Sequence, residues 1–158
     1  MKLTPLNEND YENIYAFMKP IWIETYQNII PLEQINFLLN KYFKLENIKK
    51  YVLQGYQYYK IIDDNLISGY LVFISKENEV YIDKLYLNEN SRGKYYPNKI
   101  FSYLIERYQK DLTLNVNQKN TRAVNCYLKN GFIIEEEQNI VLKDNMINID
   151  YKMRKKAK

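Results

Sequence analysis

The stretch Asn120-Thr121-Arg122-Ala123-Val124-Asn125-Cys126-Tyr127-Leu128-Lys129-Asn130-Gly131-Phe132 decides how this 158-residue chain is read. It comes directly after a strand expected over 111–116. Asn120 carries a side-chain oxygen suited to cap the first N–H groups of a helix. Ala123 and Tyr127 stand four residues apart, which places them on one helix face. Gly131 suits the left-handed turn that closes a helix, since it has no Cβ to clash. Phe132 then starts a core strand. Cys126 adjoins Tyr127 but points about 100° around the helix from it, so it reads as a packing cysteine rather than a nucleophile.

Outward from that stretch, periodicity and turn residues divide the rest of the chain. Residues 1–7 read as a short edge strand, with Pro5 in keeping with an edge. From Glu8 the apolar positions Tyr11, Ile14, Tyr15, Phe17 and Met18 recur at helical spacing, with Asn7 as N-cap and Pro20 expected to kink or end the helix. Pro31 opens a second helix with Ile35, Leu38, Leu39 and Tyr42 on its buried stripe. A further short helix covers 46–53, closed by Gly55. Strands over 56–62, 66–75 and 80–87 are rich in Tyr, Ile, Val and Leu. The turn-forming stretches Asp63-Asp64-Asn65 and Lys76-Glu77-Asn78 separate them into an antiparallel meander. A helix over 97–109, the strand over 111–116 and a helix over 120–129 come next. Two last strands, 132–142 and 147–153, flank Lys143-Asp144-Asn145. The order β-α-α-β-β-β-α-β-α-β-β, with no linker or internal repeat, predicts an α+β single domain over 1–151. Its expected centre is a mixed, mostly antiparallel sheet flanked by helices, followed by a basic tail over 152–158.

Composition narrows the chemistry. At 46% hydrophobic, the chain is neither a disordered tract nor a membrane protein. It holds no apolar run of about 18 residues and no signal-peptide pattern, so a cytoplasmic location is expected by default. One cysteine excludes an internal disulfide framework. The absence of histidine removes the commonest general base and the commonest metal ligand together, and no metal site is expected. The net charge is +4, but Lys152, Arg154, Lys155, Lys156 and Lys158 contribute five positive charges, leaving 4 − 5 = −1 for the remainder. That segment reads as a frayed, solvated tail. No basic face for nucleic acid or a membrane surface is apparent.

The quoted stretch resembles the pattern Asn-X-X-Ala-X-X-X-Tyr-X-X-X-Gly-Phe of the GNAT (GCN5-related N-acetyltransferase) superfamily at every fixed position, and the element order resembles that fold. A second segment, Leu85-Tyr86-Leu87-Asn88-Glu89-Asn90-Ser91-Arg92-Gly93-Lys94-Tyr95-Tyr96-Pro97, resembles the family's strand end leading to Arg-Gly-X-Gly-X-Gly. Such a loop binds anions, because successive backbone N–H groups at a helix N-terminus point at a pyrophosphate and the helix dipole adds to the attraction. Here Tyr95 and Pro97 stand where the family has small residues. Pro97 has no N–H to donate, and one lost hydrogen bond to a charged group costs on the order of 1.5–3 kcal/mol. A third segment, Trp22-Ile23-Glu24-Thr25-Tyr26 with Ile30-Pro31, is weakly similar to the acceptor side of spermine/spermidine acetyltransferase-like members.

The resemblance implies an acyl-CoA acyltransferase fold and an acetyl-CoA-dependent N-acetyltransferase. Acetyl-CoA would be the cosubstrate and a primary amine the acceptor, a small molecule or polyamine being favoured. It implies that Leu85, Tyr86 and Leu87 offer backbone groups to the cofactor. Arg92, Gly93, Lys94, Tyr95 and Asn98 would surround its phosphates, and Asn120 would hold its amide-bearing arm. Tyr127 would meet the leaving sulfur, while Trp22 and Tyr26 would hold the acceptor. An amine of pKa near 10.4 is neutral in only about one molecule in 2,500 at pH 7, so a carboxylate must help remove its proton. Asp83, Glu24 and Glu79 are the candidates, Asp83 because it shares strand parity with Leu85 and Leu87. Dimers are common in the superfamily, so a homodimer is an open expectation. The alternative is a non-catalytic GNAT-like module with a degenerate pyrophosphate loop.

Overall fold

A reciprocal cap sets the start of the first helix. Asn7 Oδ1 accepts from the Asp10 N–H at 3.2 Å, and Asp10 Oδ2 accepts from the Asn7 N–H at 2.9 Å, which satisfies two donors that a bare helix end leaves orphaned. In the computed structural model, which describes residues 1–158, this helix (α1, Glu8–Tyr26) follows strand β1 (Lys2–Pro5). It continues through Pro20, so of the two outcomes expected there, a kink or an end, the helix does not end. Proline costs about 3 kcal/mol inside a helix. Beyond it, Ile21, Trp22 and Tyr26 are all buried, and each such side chain returns about 1.5–3 kcal/mol. Burial wins.

Helices α2 (Leu32–Phe43) and α3 (Leu45–Leu53) come next, and Gly55 at φ +105° turns the chain towards β2 (Gln57–Asp63). Strands β3 (Leu66–Ser75) and β4 (Glu79–Leu87) precede a 3-10 turn over Glu89–Ser91 that periodicity does not reveal. The chain ends with α4 (Tyr96–Tyr108), β5 (Asp111–Asn117), α5 (Thr121–Lys129), β6 (Ile133–Lys143) and β7 (Met146–Lys155). The seven strands lie in the order β1-β2-β3-β4-β5-β7-β6. The pairs β1·β2, β2·β3, β5·β7 and β6·β7 are antiparallel and β4·β5 is parallel. This is the α+β class with a mixed, mostly antiparallel sheet that the element order predicts.

The chain resolves into two compact units, Met1–Ile74 with Lys84–Lys94, and Ser75–Asp83 with Tyr95–Lys158. In the first, Ile14 and Met18 of α1, Ile35 and Leu39 of α2, and Leu71 and Phe73 of β3 are fully buried. The one glycine inside β3 marks a close approach of backbones. A Cβ on Gly69 would lie 2.1 Å from the Tyr86 carbonyl oxygen and 3.1 Å from Leu87 Cα, and the Asn88 N–H donates to the Ser68 carbonyl at 2.8 Å. In the second unit, Val80, Phe101, Leu112, Leu114, Phe132 and Met153 form the core.

The basic segment also needs correction. Strand β7 extends through Lys155, so Lys152 to Lys155 belong to the sheet rather than to a tail. Arg154 explains why. Its guanidinium reaches Asp111 at 3.3 Å, Glu79 at 3.7 Å and, more closely still, Glu135. The Ala157 N–H donates to Asp111 at 2.9 Å. A count of charges along the chain cannot see that the neutralising acids sit on neighbouring strands.

Candidate functional site

In the first unit, the buried face of α1 meets the end of β4 through aromatic rings. Trp22 lies 5.0 Å from Tyr26, 5.4 Å from Tyr86 and 5.5 Å from Phe43, centroid to centroid. The Tyr26 and Tyr86 hydroxyls are 2.7 Å apart, a hydrogen bond that either can donate. Beside them the Lys84 ammonium stands 3.8 Å from the Tyr42 ring centroid, a cation–π contact. Trp22 Nε1 and Thr25 Oγ1 are buried without a hydrogen-bond partner, and such groups are uncommon in folded proteins. Trp22, Tyr26 and Tyr86 are therefore brought together. Asp83 is not: side chains alternate along a strand, and Lys84 and Tyr86 face the rings, so Asp83 points to the opposite face along with Leu85 and Leu87.

The charged residues of this unit pair with one another. Arg92 Nη1 donates to Glu24 Oε1 at 2.9 Å, and Lys94 Nζ lies 3.8 Å from Asp63. One candidate base thus holds one candidate phosphate ligand. Gly93 sits between the two cations at φ +78°, and nothing lies within 4 Å of where a Cβ would be. Its backbone therefore faces open space. The third candidate base, Glu79, lies in the second unit, where it accepts from Thr113 and pairs with Arg154.

The quoted stretch of the second unit folds as its residues dictate. Asn120 Oδ1 caps α5 by accepting from the Ala123 N–H at 3.4 Å, and the residue is buried. At the other end, Gly131 at φ +89° donates to the Leu128 carbonyl at 3.1 Å, and the Phe132 N–H donates to the Tyr127 carbonyl at 3.0 Å. This is the paired hydrogen-bond pattern of a Schellman cap, together with its usual hydrophobic contact. The Tyr127 and Phe132 rings are 5.5 Å apart, with Phe101 of α4 at 6.1 Å from Tyr127 and 5.0 Å from Phe132. The capping glycine thereby fixes the half-buried phenol. Burial pushes the Cys126 thiol up, against the smaller opposing effects of Lys129 and Asn130, which leaves it protonated and poorly nucleophilic.

Helix α4 starts one residue earlier than the sequence suggests, so Pro97 is its second residue. The missing proline N–H is one the first turn leaves unpaired in any case. Asn98 lies in that first turn. Tyr95 precedes it at φ +36°, a left-handed conformation costly for a tyrosine, with its side chain 82% exposed. The parallel ladder of β4 with β5 runs from Glu79–Asp111 to Ile82–Leu114, and both strands continue past it, β4 to Leu87 and β5 to Asn117.

A family model for the acetyltransferase (GNAT) domain matches residues 26–155. The chain belongs to that family. The GNAT domain has the same fold as PaiA N-acetyltransferase from Thermoplasma acidophilum, solved in complex with coenzyme A. The two share 20% identity over 98% of each chain, with a TM-score of 0.81. A GCN5-related N-acetyltransferase from Rhodopseudomonas palustris shares 14% identity over 98% of this chain and 94% of its own, with a TM-score of 0.79. Spermidine N-acetyltransferase from Vibrio cholerae, in complex with CoA and spermine, is 16% identical over 97% of this GNAT domain and 92% of its own chain, with a TM-score of 0.67. No curated protein sequence matches the chain.

Three participants escape a reading of the sequence: Gly69, the pairing of Glu24 with Arg92, and Lys84 beside Tyr42. Only the first left a signal there, as a lone glycine inside a strand pattern.

Proposed function

We propose that this GNAT domain transfers an acetyl group from acetyl-CoA to the nitrogen of a primary amine, with a small molecule or polyamine as acceptor. The observation that carries the reading is the doubly capped helix α5, which satisfies the family pattern and holds the Tyr127 ring against Phe101 and Phe132. The residues available for the cofactor suit an anionic, amide-bearing group. Arg92 and Lys94 supply positive charge, Gly93 an unobstructed backbone, and the first turn of α4 its N–H groups, one fewer for Pro97. The β4 backbone beyond Ile82, which continues past the β5 ladder, offers donors and acceptors at Leu85 and Leu87, while the Tyr86 carbonyl lies against β3. Asn120 keeps its amide N–H groups for the same task, because its oxygen serves the cap.

When bound, acetyl-CoA supplies an activated acyl group on sulfur. The chain's own residues do the rest. Trp22 and Tyr26 hold the acceptor. Glu24, two residues before Tyr26, takes the amine proton, at a carboxylate oxygen or through water, which offsets the roughly 4.6 kcal/mol needed to present a neutral amine at pH 7. Tyr127 Oη holds a proton where a thiolate departs. Full transfer from a phenol of pKa about 10 to a thiol of pKa about 8.5 is uphill by about 2 kcal/mol, so a hydrogen bond is what the site asks of it.

The direct test is a melting curve with and without acetyl-CoA, followed by free-thiol release across polyamines, amino acids and N-terminal peptides. Ligand at 100 times its Kd should stabilise the fold by about 2.7 kcal/mol. An unchanged melting curve would sink cofactor binding. Stabilisation without thiol release on any acceptor would favour the non-catalytic module, a reading supported by the carboxylate partners of Arg92 and Lys94.

A further inference from the structure

Arg92 and Glu24 are 68 residues apart in sequence, yet they meet at 2.9 Å. One belongs to the loop after β4, the other to the last turns of α1, two residues before Tyr26. A guanidinium is a strong ligand for phosphate because its fork matches two oxygens. Here one arm of that fork already carries a carboxylate. The Glu24 side chain is 47% exposed and that of Arg92 20%, so the pair lies at the surface, where ion pairs are weak and readily exchanged. A few residues on, Lys94 keeps a looser pair with Asp63 at 3.8 Å. The protein thus places its own anions on both cations of the loop.

We propose that Glu24 competes with the cofactor phosphates for Arg92, so that seating the cofactor takes Arg92 away from Glu24 and leaves α1 with a more negative carboxylate beside Trp22 and Tyr26. This rests on the cofactor reading given above. Two consequences follow. The cofactor binds more weakly than the loop alone would allow, because it must displace an internal anion. The acceptor-side helix also becomes more attractive to a cationic amine once the cofactor is in place, and by linkage the amine favours the cofactor to the same degree. A carboxylate that merely oriented the guanidinium would act in the opposite sense, since its removal would loosen cofactor binding.

Calorimetric titration of acetyl-CoA into four proteins separates these outcomes: the wild type, Glu24→Gln, Arg92→Gln and the double variant. Glu24→Ala serves as a second version of the first change, and melting curves check that each is folded. Removing the Glu24 charge should tighten cofactor binding about two- to fivefold, by less at high salt. Arg92→Gln should weaken binding, and in its presence Glu24→Gln should change affinity by less than about twofold, the non-additivity expected of a directly coupled pair. Unchanged or weaker binding by Glu24→Gln overturns the competition while leaving the cofactor reading intact. A full gain that survives in the Arg92→Gln background also overturns it, because the effect would then be one of general charge. No heat of binding from any of the four overturns this inference and the cofactor reading together.

Discussion

Replacing Gly69 with alanine tests whether β3 sets the position of β4. The added Cβ would stand 2.1 Å from the Tyr86 carbonyl oxygen, whereas ordinary contact begins at 3.4 Å. The deficit is 3.4 − 2.1 = 1.3 Å, and the obstacle is backbone, with Leu87 Cα a further 3.1 Å neighbour. A flexible side-chain tip could swing aside, but a strand must move. Overpacking of this kind costs about 1–3 kcal/mol, and for a chain of this size each kcal/mol lowers Tm by roughly 2–4 °C. The functional cost should be larger. Leu87, next to Tyr86, is one of the residues proposed to offer its backbone to acetyl-CoA, and a displacement of about 1 Å can cost on the order of 100-fold in rate. Thermal melts would read the first effect. Thiol-release kinetics, run well below the melting temperature of both proteins, would read the second. A variant that melts within a degree of the wild type and keeps its kcat/KM would refute the argument, since β4 would then be free to take up the methyl group at no cost.

The other expectations are narrower. Tyr127→Phe removes only the hydroxyl from a ring held by Phe101 and Phe132, so turnover should fall while the acetyl-CoA Kd stays nearly constant; an equal loss in both would count against a role at the sulfur. Tyr95→Gly relieves the φ +36° conformation, worth about 1–3 kcal/mol, against about 0.5–1 kcal/mol of added chain entropy; chemical denaturation should show a gain of about 1 kcal/mol, and a loss would show that the exposed ring has a structural task. Burial alone would raise the Asp10 carboxyl, but hydrogen bonds from Asn7 and Lys60 and the Lys60 charge outweigh it and hold the pKa below its ordinary value. The stability so gained is present above the unfolded carboxylate pKa of about 3.9 and is lost as pH falls through the lower folded value. Lys60→Gln should raise the folded value and so shrink this acid-linked gain; urea midpoints measured from about pH 5 downward would check it, and profiles of identical shape would dismiss the Lys60 contribution.

Local chemistry explains which parts of the fold were readable. Asn7, Asn120, Gly55 and Gly131 act within a few residues of themselves, and the cap or turn each predicts is present. The apolar run over 66–75, bounded by turn residues on both sides, gave β3 to the residue. At Pro20 the choice between a kink and an end stayed open, because its cost is local while the burial of Ile21, Trp22 and Tyr26 that outweighs it is tertiary. The basic segment misled for the same reason, since the partners of Arg154 lie 19 residues away at Glu135 and 43 residues away at Asp111. At the candidate site, Trp22 and Tyr26 follow from the resemblance, whereas Phe43 and Tyr86, which pack on Trp22, lie on other elements. The charge of Glu24 is modified by Arg92, and the role of Gly69 by Tyr86, contacts for which one sequence carries no record.

The strand order has a bearing on how the second unit is made. β6 is synthesised before β7, yet it joins the sheet only through β7, which lies between it and β5. A nascent chain that has just passed Lys143 therefore carries an eleven-residue strand whose backbone N–H and C=O groups have no ladder partner yet. Only when Met153 emerges to pack opposite Leu114, and Arg154 to gather its three acids, can the ladder close. Ribosome stalling within those last ten codons of β7 would leave an unpaired strand beside the open edge of β5, the kind of edge that templates aggregation.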